Sequence, residues 1–304
     1  SMNMEEKKII ALLEDKGPLT GLEIWDAVGG DQLSLWRGCM LSPDLSILRT
    51  GTRYLRLDRR VKGYARLSPS ILREFLTYSV IGPASDQKAI AVRAQKISLH
   101  IEAVSRAKSE LAYSLVAALA NQFETELPIK EEVCFILAGD IVYNMAHDVP
   151  RPERSTGKLV KGSDMDLVVV VDDGFPEPCM RQLDEAIYGE KYHLLIAPHL
   201  REEIDYVVKN MDRVRTQLAF DTYRHMVACK IMQEGTLLYG SEKLFNTIKS
   251  MLKDQGITDR LRLLEQEAQQ FREEAEKHLL QGKGAPGEDQ SHLFYPAEES
   301  EEFE

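Results

Sequence analysis

Two aspartates, Asp164 and Asp166, stand at positions i and i+2 at the head of the apolar run Leu167-Val168-Val169-Val170-Val171. Strand alternation sends such a pair to the same side of a sheet. Two like charges in one place are costly unless a cation shares them. Hard carboxylate oxygens suit Mg²⁺ or Mn²⁺, and Mg²⁺ commonly joins one or two carboxylates to phosphate oxygens. A third acid, Asp205, lies within the apolar run Ile204-Asp205-Tyr206-Val207-Val208. Three carboxylates suffice for two metals, one activating an attacking group and one holding a triphosphate. An Asp-x-Asp ahead of a strand also arises as a plain turn cap. The third acid and the upstream Gly139 favour metal.

The elements around these acids follow from periodicity. Val133–Leu137, Asp166–Val171 and Glu203–Val208 read as strands. Ile141–His147, Pro178–Tyr188 and Arg213–Gln233 read as helices, and Thr236–Gly240 as a short extended piece. The polar stretch 148–163, with two prolines, two glycines and four basic residues, reads as a loop. Upstream, Ser85 to Glu126 holds neither Gly nor Pro and repeats apolar residues at helical spacing, which predicts a long linking helix. Further upstream are three short helical patterns, the second and third capped by Thr20 and Asp31, then an alternating segment around Gly51. That order is the order of a winged helix-turn-helix, with Thr50–Leu57 as the wing. Glu242 to about Leu280 is helical.

Charge is unevenly spread. The net charge is −11, which argues against a surface that coats nucleic acid throughout. Yet residues 43–66 hold seven basic side chains against Asp44 and Asp58, while residues 283–304 hold one against seven acids. Arg53, Arg56 and Arg59 on the ribbon, with Arg37 on the third helix, are the candidates for contact with duplex nucleic acid. Protein contact is the other use of such a domain. The four cysteines lack metal-ligand spacing and read as reduced and mostly buried, which suits a cytoplasmic protein. No apolar run is long enough for a membrane span, and no secretory leader is expected. Arg93 and His100 have the Arg-x6-His spacing of HEPN nucleases, but Ala94 stands where those carry a polar residue, so no nuclease role is assigned.

Taken jointly, the segments Cys134-Phe135-Ile136-Leu137-Ala138-Gly139, Gly162-Ser163-Asp164-Met165-Asp166, Asp205 and Ala228 to Gly240 resemble the nucleotidyltransferase superfamily of polymerase β-like enzymes, including its small bacterial members. The resemblance covers about residues 133–245. It implies an α+β chain with a nucleotidyltransferase-type mixed sheet and flanking helices at residues 129–245. The other expected regions are a winged-helix-like domain at 1–82, a linking helix at 83–128, C-terminal helices at 246–282 and an acidic flexible tail at 283–304, in which Leu293, Phe294 and Tyr295 are the residues available to dock. It also implies NTP as substrate, with Mg²⁺ or Mn²⁺ on Asp164, Asp166 and Asp205. Asp205 or another carboxylate would help deprotonate the acceptor.

The chain departs from the family pattern twice. Asp140 stands where the family has Ser or Gly after the glycine, at a helix N-terminus that binds phosphate through backbone N–H groups. An aspartate there is expected to cap the helix and to repel phosphate. The spacer from Gly139 to Asp164 is also long. It reads either as a solvated insertion or as a loop whose Arg151, Arg154, Lys158 and Lys161 restore positive charge; on the second, Gly139, Asp140, Ser163, Lys158 and Lys161 are the candidate nucleotide-binding residues. Two readings stand: a transferase moving NMP from NTP to a nucleic acid, protein or small-molecule acceptor, and a non-catalytic nucleic-acid-binding regulator on a degenerate transferase fold. The oligomeric state stays open, a homodimer included.

Overall fold

The computed structural model describes residues 3–282 and 291–295. It is a mixed α and β structure whose chain divides into two compact units. The first takes residues up to His100 together with the described residues from Leu264 onward. The second runs from Ile101 to Leu263. No helix among the described residues is long and apolar enough to cross a membrane.

The first unit opens with α1 (Met4–Lys16), β1 (Leu19–Thr20), α2 (Gly21–Val28) and α3 (Gln32–Leu41). Asn3, Thr20 and Asp31 cap the helices through side-chain oxygens, and Thr20 forms a reciprocal capping box with Glu23. Then follow β2 (Leu45–Arg49), β3 (Tyr54–Leu57), β4 (Ala65–Ser68), α4 (Ile71–Thr77), β5 (Ser79–Pro83) and α5 (Gln87–Gln122), of which residues 101–122 belong to the second unit. The expected ribbon around Gly51 does not form. Strand β2 pairs antiparallel with β5, whose other edge takes β1, while β3 pairs with β4. A distant partner decides it: the Thr50 N–H is taken by the Tyr78 carbonyl, and Gly51 adopts φ +77°. The chain therefore leaves the first sheet there instead of folding back on it. Helix α4 and strand β5 escaped the sequence reading.

The second unit contains α6 (Ile129–Glu132), β6 (Val133–Ala138), a 3-10 turn (Asp140–Tyr143), β7 (Pro150–Pro152), β8 (Leu159–Lys161) and β9 (Met165–Val171). It continues with α7 (Glu177–Ile196), β10 (Ile204–Asn210), α8 (Met211–Gln217), α9 (Tyr223–Glu234), β11 (Thr236–Gly240), α10 (Glu242–Asp254) and the start of α11 (Ile257–Gln281). Four strands form one sheet in the order β10-β9-β6-β11. The β10–β9 pair is parallel; the β9–β6 and β6–β11 pairs are antiparallel. Every residue of β6 is buried, which explains its unbroken apolar run. The expected helix 213–233 is broken between α8 and α9, where Phe220 turns at φ +54° and Thr222 caps α9. The predicted 148–163 loop contains the β7–β8 hairpin.

The remainder of α11 and α12 (Ser291–Phe294) return to the first unit. Ala275, Leu279 and Phe294 join Ile9, Ile24, Leu35, Trp36 and Ile81 in one core, with the Phe294 and Trp36 ring centres 5.6 Å apart. The tail expected to be flexible is therefore helical at Ser291–Phe294. Phe294 supplies the reason, since its ring is fully buried. The rest of that tail lies outside the described residues.

One buried ion pair anchors the β3–β4 hairpin. Asp58 and Arg66 are 3% and 4% exposed and meet at 2.6 Å. Burial opposes ionisation of Asp58, but the Arg60 backbone N–H and the Arg66 and Arg60 guanidiniums outweigh it and hold its carboxyl near pH 2. Removing one partner of such a pair costs about 3–5 kcal/mol. Asp58→Ala is expected to lose that amount in urea unfolding at pH 7. The Asp58 contribution is present above the ordinary carboxylate range of about 4 and is lost as pH falls through about 2. The gap between wild type and Asp58→Ala should therefore narrow in acid, and an equal gap at pH 7 and pH 2 would contradict the assignment.

Candidate metal centre

The three aspartates meet where β9 and β10 begin. Asp166 is the second residue of β9 and stands in register with Asp205 of β10. Parallel partners in register face the same side, and Asp164 joins them two residues upstream of Asp166. One oxygen from each of Asp164, Asp166 and Asp205 falls within 4.8 Å of the others. All three residues are half-buried. Hard oxygens at that separation, from three acids, fit a divalent cation.

The electrostatics fit as well. Burial, then the Glu203 charge, pushes the Asp164 carboxyl up. Burial, then Asp164 and Asp205, pushes Asp166 well above the usual carboxylate range. Asp205 rises to about 7, again through burial and then Asp164. A lone trio of acids is thus short of positive charge. Lys191 and Arg154 partly relieve Asp205, and Arg151 relieves Asp164.

On the other side of Asp166 lies β6, with Ala138 in register. The next residue, Gly139, has φ +81°, and a Cβ there would stand 2.2 Å from Asp166 Oδ2. Only glycine fits. Its N–H donates to Glu234 Oε2 at 2.7 Å, and Glu234 Oε1 receives the Tyr143 hydroxyl and the Lys230 ammonium. Lys249 in turn donates to three carbonyls around the end of α9, at Met232, Gln233 and Gly235, fixing the residues that flank Glu234. The backbone donor expected to meet phosphate is therefore already bound to a carboxylate.

Asp140 departs from expectation too. It does not cap the turn. Gly139 occupies the cap position without a side-chain bond, and Asp140 is the first residue of the 3-10 turn. Asp140 Oδ2 instead accepts the Ser163 hydroxyl at 3.0 Å, while Ser163 Oγ accepts the His147 N–H. Ser163 thus ties the lead-in of the Asp164-Met165-Asp166 stretch to the segment after β6. Gly162, at φ +70°, passes so close to the His147 carbonyl that a Cβ would fall 2.1 Å from it.

The basic spacer is built around Glu153. This buried carboxylate accepts the N–H and hydroxyl of both Ser155 and Thr156, and those four bonds hold it near pH 2 against the cost of its burial. The four cations of the spacer separate. Arg151 donates to the Gly162 carbonyl and pairs with Glu203 at 3.3 Å. Arg154 is exposed and its charge reaches Asp205. Lys161 donates to the His199 carbonyl, and Lys158 is exposed.

In the first unit, two of the four proposed nucleic-acid contacts are tied inward. Arg37 donates to the Leu279 carbonyl, and Arg53 forms a two-point pair with Glu74 plus a bond to Glu276. Arg56 is half-buried and Arg59 exposed. Arg93 is bound to Glu23 and the Pro18 carbonyl, a structural use of that side chain. The sequence reading missed Glu203, Glu234, Tyr143 and Lys191. For Glu203 a signal existed, because Glu203-Ile204-Asp205 repeats the i, i+2 spacing of Asp164 and Asp166.

Neutralising one acid of a repelling trio is expected to stabilise the metal-free protein. Asp166→Asn should raise Tm in EDTA by at least about 2 °C, the shift that roughly 1 kcal/mol produces in a domain of this size, and should abolish any rise caused by Mn²⁺. A lower Tm in EDTA for the variant would show that the acids do not repel. No family model matches the chain, and no curated protein matches it in sequence.

Proposed function

We propose that the chain is a divalent-cation-dependent nucleotidyltransferase. The observation that carries this reading is the convergence of Asp164, Asp166 and Asp205 within 4.8 Å at the start of two adjoining parallel strands. In the reaction, an acceptor oxygen bonds to the α-phosphorus of an NTP, the bond to the bridging oxygen breaks, and pyrophosphate leaves. A carboxylate of the trio takes the acceptor proton. A bound Mg²⁺ or Mn²⁺ would supply Lewis-acid stabilisation of the phosphoryl oxygens and of the attacking group.

The remaining tasks fall to other side chains. Asp164, Asp166 and Asp205 would hold the cation. Gly139 keeps the space beside Asp166 open. Arg154 and Lys191, whose charges reach Asp205, are the cations available to the triphosphate. They take over the role that the resemblance gives to Gly139-Asp140, where Glu234 and Asp140 present negative charge. The N-terminal region, α1 to β5, would then be a winged-helix-like module that locates the acceptor through Arg56 and Arg59.

Labelled NTPs with candidate acceptors and Mn²⁺ test the proposal. Asp166→Ala is expected to lose about 10²- to 10³-fold in transfer, the scale on which removing an electrostatic stabiliser acts. Equal background from wild type and variant with all four NTPs, without cation-dependent NTP binding by either, would reject it.

The Glu234 carboxylate on the Gly139 N–H specifically favours the second reading, a nucleic-acid-binding regulator without transfer. That reading expects duplex binding that weakens steeply with salt and falls further in Arg59→Ala. Unchanged binding in that variant counts against it.

A further inference from the structure

Beside the three aspartates stands a fourth acid with an unusual environment. Glu203 is 8% exposed. Its Oε2 pairs with Arg151 at 3.3 Å, while its Oε1 is buried without a hydrogen-bond partner among the described residues. A buried carboxylate oxygen left unpaired is costly and calls for a partner beyond the described residues or a bound ion. The strand register supplies the direction. Asp205 is paired with Asp166 and Ile204 with Met165, so the next step sets Glu203 beside Asp164. The Met165 N–H donating to the Glu203 carbonyl fixes that step. Glu203 and Asp205 alternate to one face, as Asp164 and Asp166 do. Four carboxylates thus stand in a two-by-two array, Asp166 and Asp205 within the two parallel strands and Asp164 and Glu203 just ahead of them.

The array is held rigidly. Lys108 of α5 donates to Glu202 Oε2 and to the Lys161 carbonyl, each at 2.6 Å, which pins the entry to β10 against the end of β8. Arg151 spans from the Gly162 carbonyl to Glu203. Glu203 lies outside the set of acids that close within 4.8 Å, so it does not complete the coordination of that same ion.

We infer that Glu203 and Asp164 form a second divalent-cation position next to the aspartate trio, filled by the protein before any nucleotide arrives. This rests on the reading of the trio as a metal centre. Its charge logic is distinct: the protein supplies the carboxylates that a second cation would otherwise take from triphosphate oxygens. Arg151 occupies one oxygen of Glu203 and competes with that cation through its charge.

Mn²⁺ titration of the full chain without nucleotide, with free Mn²⁺ followed by electron paramagnetic resonance, tests the inference. Wild type is expected to bind two Mn²⁺ ions. Glu203→Gln, which keeps shape and removes charge, should bind one, with the lost site weakened at least tenfold. Arg151→Gln should tighten that same site severalfold. A Glu203 that served only as a partner of Arg151 would leave the stoichiometry unchanged in Glu203→Gln, and weaker Mn²⁺ binding in Arg151→Gln would show that Arg151 does not compete with the ion; either result overturns the inference. One Mn²⁺ in wild type, lost in Asp166→Asn, overturns it while leaving the trio as a metal centre. No Mn²⁺ bound by wild type removes both. Matching thermal melts of the variants exclude a folding defect as the cause.

Discussion

Like-charge repulsion at the start of β9 and β10 is the constraint around which the second unit is organised. Asp164, Asp166 and Asp205 are brought within 4.8 Å, with Glu203 alongside, on the rim of a sheet whose inner strand β6 is apolar and buried throughout. Such a grouping is unfavourable by itself, and burial compounds it, as the raised carboxyls of all three aspartates show. The surrounding structure tolerates it because the backbone there is fully specified. The strands lock the register, Ser163 and Gly162 dock the lead-in on the His147 segment, and Gly139 leaves room for the Asp166 carboxylate. The energy stored in the repulsion is available to a cation that shares these oxygens.

The same constraint accounts for how the neighbouring polar groups are spent. Cations near the trio are few, and each has a second tie or an exposed position. Arg151 holds a backbone carbonyl as well as Glu203. Lys230 neutralises Glu234 and not the trio. Lys249 is drawn into three carbonyls and held down near pH 8 by burial. These arrangements keep the metal corner negative while satisfying buried charge elsewhere, as low-dielectric interiors require. The cost falls on the phosphate side, where Asp140 and Glu234 leave Gly139 no free donor.

The first unit obeys a different logic. Its arginines, conspicuous in sequence, are largely structural. Arg53 and Arg272 reach Glu74 and Glu276, and Arg66 is buried on Asp58. A run of basic residues can signal a nucleic-acid surface or a set of internal ion pairs, and composition does not distinguish them. The distinction depends on acids far away in sequence, Glu276 above all, and on the return of α11 and α12 to the N-terminal core.

By itself the sequence determined the strands β6, β9 and β10, the long helix α5, the capped N-terminal helices and the trio Asp164, Asp166 and Asp205. Each of those rests on local periodicity or on the alternation of side chains within one segment, which a linear pattern records. It did not determine which strands pair around Gly51, that Phe294 is a core residue, that Glu234 occupies the Gly139 N–H, or that Arg37 and Arg53 point inward. Those were decided by contacts between residues dozens to hundreds of positions apart, where the competing partner is invisible to any local window. Glu203 lies between the two cases: its spacing to Asp205 is written in the chain, but its unpaired buried oxygen exists only once β10 is laid against β9.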